Sequence, residues 1–318
     1  MKKIITIISG VSLILMAACT NTNTGPSGME LRQQMRKEIR QEHSAPVPEQ
    51  GRLQQEENSG GGAGVNRTSQ QSAGADSSLM RLQASTPELE DGLEEQIREP
   101  APMSLADLHR KYPSTFVLSG SEGRREVALT FDDAPDAVFT PLVLDALKKA
   151  GVKATFFCVG NRIEAHPDVM RRIVAEGHVV GNHSYSHPNF IKLSDARFRE
   201  EIQKTDRLVK AYTGYAPSFV RPPYGNISEE QIKWLASNKR RVVNWNVDSL
   251  DWKNLNREQV AVNVLAHIGP GAIVLQHSGG GVGQDLTGTV QAVPEIVAKL
   301  KRDGVRFVTI PGMLGIPQ

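Results

Sequence analysis

The sequence predicts an α/β fold, a distorted (β/α) barrel of seven or eight strands, TIM-like in plan. Three observations carry this. Short apolar runs alternate with amphipathic stretches from about residue 114 onward. Seven strand–helix repeats follow one another within about two hundred residues, the pattern of parallel strands joined by crossover helices. The unusual polar residues all follow predicted strands, and the carboxyl ends of the strands are where barrels of this kind build their sites. An open doubly wound sheet is the alternative, but no glycine-rich dinucleotide fingerprint supports a cofactor-binding version of it.

In chain order, residues 127–131 read as a strand and 141–149 as a helix, then 154–159 as a strand and 168–176 as a helix. A short strand over 178–181 precedes a long helix over 195–211. Phe219-Val220 is a brief strand, with a helix over 228–237. Residues 241–247 form a strand and 257–267 a helix, 272–275 a strand and 290–302 a helix, and 306–309 closes the series.

The chain divides into three parts. Lys2 and Lys3 precede an apolar run from Ile4 to Ala18, too short and too terminal for a good membrane span, which reads as an export signal over 1–19. It ends Leu15-Met16-Ala17-Ala18-Cys19, similar to a bacterial lipoprotein signal in which Cys19 is lipidated, although Met16 stands where such signals usually carry leucine. Plain secretion and a retained anchor helix are the alternatives. Residues 20–105 are rich in Gln, Glu, Ser, Gly and Asn, and no aromatic residue occurs between Thr20 and Pro102. Such a composition cannot bury enough apolar surface to offset chain entropy, so it is expected to be a disordered spacer. Residues 114–318, where the regular alternation lies, are expected to form the folded domain that carries the function. The reading therefore places that domain outside the cytoplasm, anchored by lipid to the bacterial membrane or envelope.

With 37 Lys and Arg against 35 Asp and Glu, the chain has no electrostatic footprint for nucleic acid. Two cysteines, Cys19 and Cys158, make no disulfide framework, and Cys158 within an apolar strand reads as packing.

The stretch Thr130-Phe131-Asp132-Asp133-Ala134-Pro135 sets two carboxylates side by side at a strand end. Like charges so close are costly in poorly hydrated surroundings, unless a cation offsets them or they do different jobs. Taken alone, the pair reads as a helix cap. His183 and His187 are four residues apart, and on one helical turn they would face the same way and share a metal; a polar loop with two unrelated histidines is the blander reading. Adding Asp133 makes a set of two nitrogens and one oxygen with open positions, which suits zinc best, with Co, Ni, Mn or Fe as alternatives.

Asp132, beside that metal and within reach of Arg221, should be ionised and so suits a general base. His277 follows Ile273-Val274-Leu275, and a partner such as Asp251 would favour its imidazolium form, which suits a general acid. Arg221-Pro222-Pro223-Tyr224-Gly225 is a stiff loop, read either as a plain turn or as one that aims a backbone N–H at a developing oxyanion. Trp252 is read as a sugar-pocket floor or as core.

Together these residues resemble the polysaccharide deacetylases of carbohydrate esterase family 4, the nodulation-type deacetylase domain, over about residues 124–312. Thr130 to Pro135 matches the first family motif except at Ala134, which replaces glycine; the resemblance implies Asp132 as base and Asp133 as metal ligand. His183 to His187 matches the second motif and supplies the other two ligands. Arg221 to Tyr224 matches the third, with Arg221 orienting the base and the Tyr224 backbone assisting the oxyanion. Asp248, Asp251 and Trp252 match the fourth, with Asp251 tuning the acid and Trp252 lining the groove. Leu275 and His277 match the fifth, with Leu275 beside the substrate and His277 as acid. Ser278 stands where many members carry Asp. The resemblance implies one divalent metal ion and hydrolysis of N-acetyl groups on a β-1,4-linked N-acetylglucosamine polymer. The export signal and spacer favour peptidoglycan. Chitin or chitooligosaccharide, an O-acetyl ester of xylan or cell wall, and non-catalytic glycan binding are the alternatives.

Overall fold

The computed structural model describes residues 82–92 and 103–318. The expected signal over 1–19, with Cys19, lies outside the described residues, as does most of the expected spacer.

Residues 103–318 begin with α1 (Leu105–Lys111), whose first turn is capped by the Ser104 hydroxyl accepting from the Asp107 amide. Then come β1 (Phe116–Val117), β2 (Glu126–Ala134), α2 (Phe139–Ala150), β3 (Thr155–Cys158), α3 (Gly160–Ala165), α4 (Pro167–Ala175) and β4 (Val179–Asn182). They are followed by α5 (Asp195–Thr213), β5 (Phe219–Val220), α6 (Glu229–Ser237), β6 (Arg241–Val243), β7 (Val247–Asp248) and α7 (Arg257–His267). The chain ends with β8 (Ala272–His277), α8 (Thr287–Arg302), β9 (Arg306–Phe307) and α9 (Ile310–Leu314). Helix ends follow local chemistry. Ser228 with Gln231, and Asn256 with Gln259, form reciprocal capping boxes on α6 and α7, and α2 stops at Gly151 with φ 64°.

The strand order is β1–β6–β5–β4–β3–β2–β8–β7, with every ladder parallel. β9 pairs with the start of β2, in the lane that β3 takes up from Thr130 onward. A bridge from Ser119 to Ala272 and a hydrogen bond from the Gly120 amide to the Gly271 carbonyl (2.8 Å) draw the β1 edge toward β8. The sheet is thus a curled, incomplete barrel with helices around it, the expected fold class. One expected strand, 241–247, is broken: β6 stops at Val243, and β7 pairs instead with β8.

Strand alternation sorts residues between two apolar layers. On β2, Val127, Leu129 and Phe131 join the large cluster under α2, α7 and α8, while Ala128 joins the barrel interior with Phe157, Phe219, Val243 and Ile273. Ile310 and Met313 of α9 belong to the same interior cluster. Gly181 is required there, because a Cβ on it would lie 2.6–2.7 Å from the Phe219 and Phe157 rings. Above this plug the inward positions turn polar, and the site begins.

Candidate active site

On β2, Thr130 and Asp132 share the inward parity of Ala128, and on β8, Leu275 and His277 share that of Ile273. The register pairs Asp132 with His277 directly across the β2–β8 ladder. Plain alternation would turn Asp133 away from Asp132. The β2–β3 register instead shifts between Phe131 and Ala134, and Asp133 adopts φ 64°. This bulge re-aims the side chain, so both carboxylates line one cavity. The left-handed residue is therefore Asp133, not Ala134. Ala134 is fully buried in the apolar core, outside the positive-φ region, so the alanine in place of glycine introduces no backbone strain of that kind.

His183 and His187 do not sit on a helical turn. They lie in a loop beyond β4 with positive φ at Ser184 and His187. Its short polar side chains shape it: Asn182 Oδ1 accepts the Ser184 amide at 2.9 Å, and Ser184 Oγ accepts the His187 amide at 2.9 Å. Glu201 on α5, 2% exposed, accepts the Tyr185 and Ser186 amides on one carboxylate oxygen at 2.7 and 2.8 Å.

The three expected ligands converge. Asp133 Oδ1 lies 3.2 Å from His187 Nε2 and 3.5 Å from His183 Nε2. The outer nitrogens are engaged: His183 Nδ1 is 2.7 Å from the Arg221 carbonyl, and His187 Nδ1 is 3.2 Å from the Tyr224 hydroxyl. That hydroxyl itself donates to the Gly92 carbonyl at 2.9 Å, so it accepts from His187. Both rings thus carry their protons on Nδ1 and aim Nε2 lone pairs at Asp133 Oδ1, a buried oxygen that accepts no hydrogen bond. Three lone-pair atoms facing one another fit a cation. Burial pushes the Asp133 carboxyl up, His183 down to about 4 and His187 well below its usual value. The histidines are then neutral at pH 7, ready to coordinate, and a cation would return the carboxyl to its charged form.

Around this set stand a buried arginine–carboxylate ion pair and a buried imidazole–carboxylate pair. Arg221, fully buried, places Nη1 2.7 Å from Asp132 Oδ1 and 2.8 Å from the Thr130 hydroxyl; its other nitrogens donate to the Val243 and Asn244 carbonyls. Its guanidinium also lies over the Phe157 ring, 4.0 Å from the centroid. Asp251 Oδ1 is 2.7 Å from His277 Nδ1, and Oδ2 accepts the His277 amide and the Thr289 hydroxyl.

Tyr224 and Trp252 line the cavity with these groups, as expected. Leu275 does not line it; it is wholly buried in β8 beneath His277. Asp248 accepts the Leu250 amide at 2.9 Å and shapes the turn toward Asp251. Ser278 is buried, its carbonyl accepting the Thr140 hydroxyl at 2.7 Å. Cys158 is buried as expected, and burial pushes its thiol well up.

Four contributors were not foreseen. Leu89, Trp245 and Gln284 complete the cavity lining. Arg162 on α3, fully buried, donates to the Asp133 carbonyl at 2.9 Å, to the Gly280 carbonyl at 2.9 Å and to the Pro87 carbonyl at 3.1 Å. No motif marks these positions. Leu89 and Pro87 lie in the stretch expected to be spacer; residues 82–92 rest on the catalytic face.

Residues 119–243 match the family model described as polysaccharide deacetylase. A peptidoglycan-N-acetylglucosamine deacetylase of Bacillus cereus is 47% identical over 198 residues, covering 62% of this chain and 71% of that protein. One from Listeria monocytogenes is 40% identical over 192 residues, covering 60% of this chain but 39% of that longer protein. The crystal structure of the Bc1960 peptidoglycan N-acetylglucosamine deacetylase superposes with a TM-score of 0.61 at 46% identity, over 63% of this chain and 92% of that one.

Proposed function

This chain belongs to the polysaccharide deacetylase family, and we propose that it hydrolyses N-acetyl groups on a β-1,4-linked N-acetylglucosamine polymer, peptidoglycan first, to acetate and a free amine. One observation carries the reading. A buried carboxylate paired with arginine and a buried imidazole paired with carboxylate stand opposite each other on β2 and β8, beside three converging lone-pair donors. Binding alone needs no such division of labour.

Asp133, His183 and His187 would hold one divalent ion, zinc by ligand type. When bound, that ion supplies Lewis acidity to the acetyl carbonyl and to a water. Arg221 fixes Asp132 through Oδ1, while Oδ2 faces the site 3.7 Å from His183 Nε2. Asp132 takes a proton from the attacking water. The backbone amide of Tyr224, turned into the left-handed region at φ 58°, is assigned to the developing oxyanion. His277, with Nδ1–H committed to Asp251, presents Nε2 to the leaving nitrogen and protonates it as the C–N bond breaks. Trp252 forms an apolar wall for the acetyl methyl, with Leu275 beneath the acid.

The peptidoglycan preference rests on the likeness to the two deacetylases above and on the export pattern of residues 1–19. By the same pattern we place the domain outside the cytoplasm, held to the membrane through lipid on Cys19. Cys19→Ala should abolish partitioning into detergent, and unchanged partitioning overturns the anchor.

The test of activity is acetate release from N-acetylated peptidoglycan, abolished by a chelator and restored by zinc. Release from chitooligosaccharide or acetylxylan alone moves the substrate to those polymers. No release from any of the three, with glycan binding retained, makes the chain a binding protein.

A further inference from the structure

We propose that residues 82–92 are an intramolecular strap that fills the catalytic groove in the resting chain and is displaced when a glycan binds. The inference rests on the glycan reading above.

Leu89 is 7% exposed and lines the same cavity as the converging ligands and Trp252. Leu89 shares this lining with Asp132, Asp133, His277 and Trp252, the groups assigned to the reaction and to the acetyl methyl. A hexosamine unit that brings its acetyl group to these residues competes with the Leu89 side chain for the same lining. The leucine side chain is itself a branched apolar group, of the same character as the acetyl methyl that Trp252 is assigned to receive.

The strap is held along its length. The Glu90 amide donates to the Ser186 carbonyl at 2.9 Å, within the loop that carries both histidines. Asp91 accepts the Asn189 amide at 2.6 Å, and Gln83 donates to the Gln284 carbonyl at 2.8 Å. The Gly92 carbonyl accepts the Tyr224 hydroxyl, and the Pro87 carbonyl accepts from Arg162. The residues that hold the strap are therefore the same ones that shape the site.

These contacts are mostly polar. Only Gln83, Thr86 and Leu89 of the eleven residues 82–92 are buried. Each such hydrogen bond contributes little beyond what ordering the strap's backbone costs, so the docked strap is stable enough to protect its amides yet a ligand that makes many contacts can displace it. Glycan affinity is then reduced by the fraction of chains whose groove is open. A single sugar makes too few contacts to displace the strap, while a polymer spanning the groove makes many.

The experiment is amide hydrogen exchange on the full chain, read for residues 82–92, with and without a hexamer of β-1,4-linked N-acetylglucosamine. Protection of Glu90 in the resting chain that is lost on adding the hexamer supports the strap. No protection at rest, or protection that persists or grows with the hexamer present, overturns it. Leu89→Ala should lower the hexamer concentration needed for half-loss of protection by roughly tenfold, since Leu89 is the main apolar anchor; an unchanged or higher concentration overturns the plug. Acetate is measured in parallel. Loss of protection without acetate release overturns the deacetylase reading and leaves the strap standing.

Discussion

Asp251 grips His277 at two points: one carboxylate oxygen lies 2.7 Å from ring Nδ1, and the other accepts the backbone amide of the same residue at 2.8 Å. Thr289 donates to that second oxygen at 2.7 Å, so the carboxylate is fixed from α8 as well. The ring has no freedom to flip, and Nε2 is the nitrogen left to face the cavity. Because Asp132 pairs with His277 in the β2–β8 register, the two proton-handling groups of the proposed reaction are set by one strand ladder rather than by loops.

Removal of the imidazole should therefore separate amide from ester chemistry. His277→Ala is expected to lower N-deacetylation by roughly 100- to 10,000-fold, the usual worth of a positioned general acid. An activated acetyl ester, whose leaving group needs no proton, should lose far less. The check is kcat/KM on both substrates with the same preparation; near-full amide hydrolysis by the variant sinks the assignment.

The Arg221–Asp132 pair gives a stability prediction. Arg221 is fully buried and Asp132 is 3% exposed, so removing one partner strands a charge. Arg221→Met should cost about 3–5 kcal/mol, and Arg221→Met with Asp132→Asn should recover much of that loss while remaining inactive. Urea unfolding of the two variants decides it. If the double variant is no more stable than the single one, the charge left on Asp132 is not what costs the single variant its stability.

Much of this site was legible because its chemistry sits on strand ends, and short apolar runs such as 272–275 mark strand ends well. What escaped has identifiable causes. The bulge at Asp132-Asp133 depends on pairing with β3, which no local pattern encodes. His183 and His187 suit a helical turn by spacing, yet the Asn182 and Ser184 side chains compete for the backbone and make a loop. The strand expected over 241–247 breaks because Arg221 takes the Val243 and Asn244 carbonyls. Leu89 lies in a polar stretch with one apolar anchor, below any periodicity. Arg162 is an ordinary helix residue until the fold sets it under Asp133.

Glu201 is a positioning residue for the ligand loop, since it holds the amides between His183 and His187. Glu201→Ala should weaken divalent-ion binding by about 10- to 100-fold, the usual effect of losing a group that orients ligands. Glu201→Gln, which keeps a carbonyl oxygen for those amides, should recover most of it. Competition with a metal indicator reads the affinity without reference to turnover, and unchanged binding in Glu201→Ala removes Glu201 from this role.

His178 predicts an acid-side loss of stability. It lies beneath the sheet, with Nδ1 accepting the Ala154 amide at 3.1 Å and the ring edge-on to Phe156 at 5.3 Å. Burial pushes its pKa down to about 4. In the unfolded chain the imidazole takes its proton near pH 6.5, whereas the folded chain resists protonation until about pH 4. Between those values the unfolded state binds more protons, so stability falls as pH falls and levels off below about 4. From pH 7 to pH 5 this single group should contribute a loss on the order of 2 kcal/mol. His183 and His187 shift in the same direction and add to the slope, so the comparison must be differential. His178→Asn places an oxygen where Nδ1 stood and keeps the acceptor for Ala154. Its stability at pH 7 should drop through lost packing, but its change between pH 7 and pH 5 should be smaller than the parent's by that same amount. Equal pH dependence in the two proteins, measured by urea unfolding, would show that His178 stays accessible to protons in the folded chain.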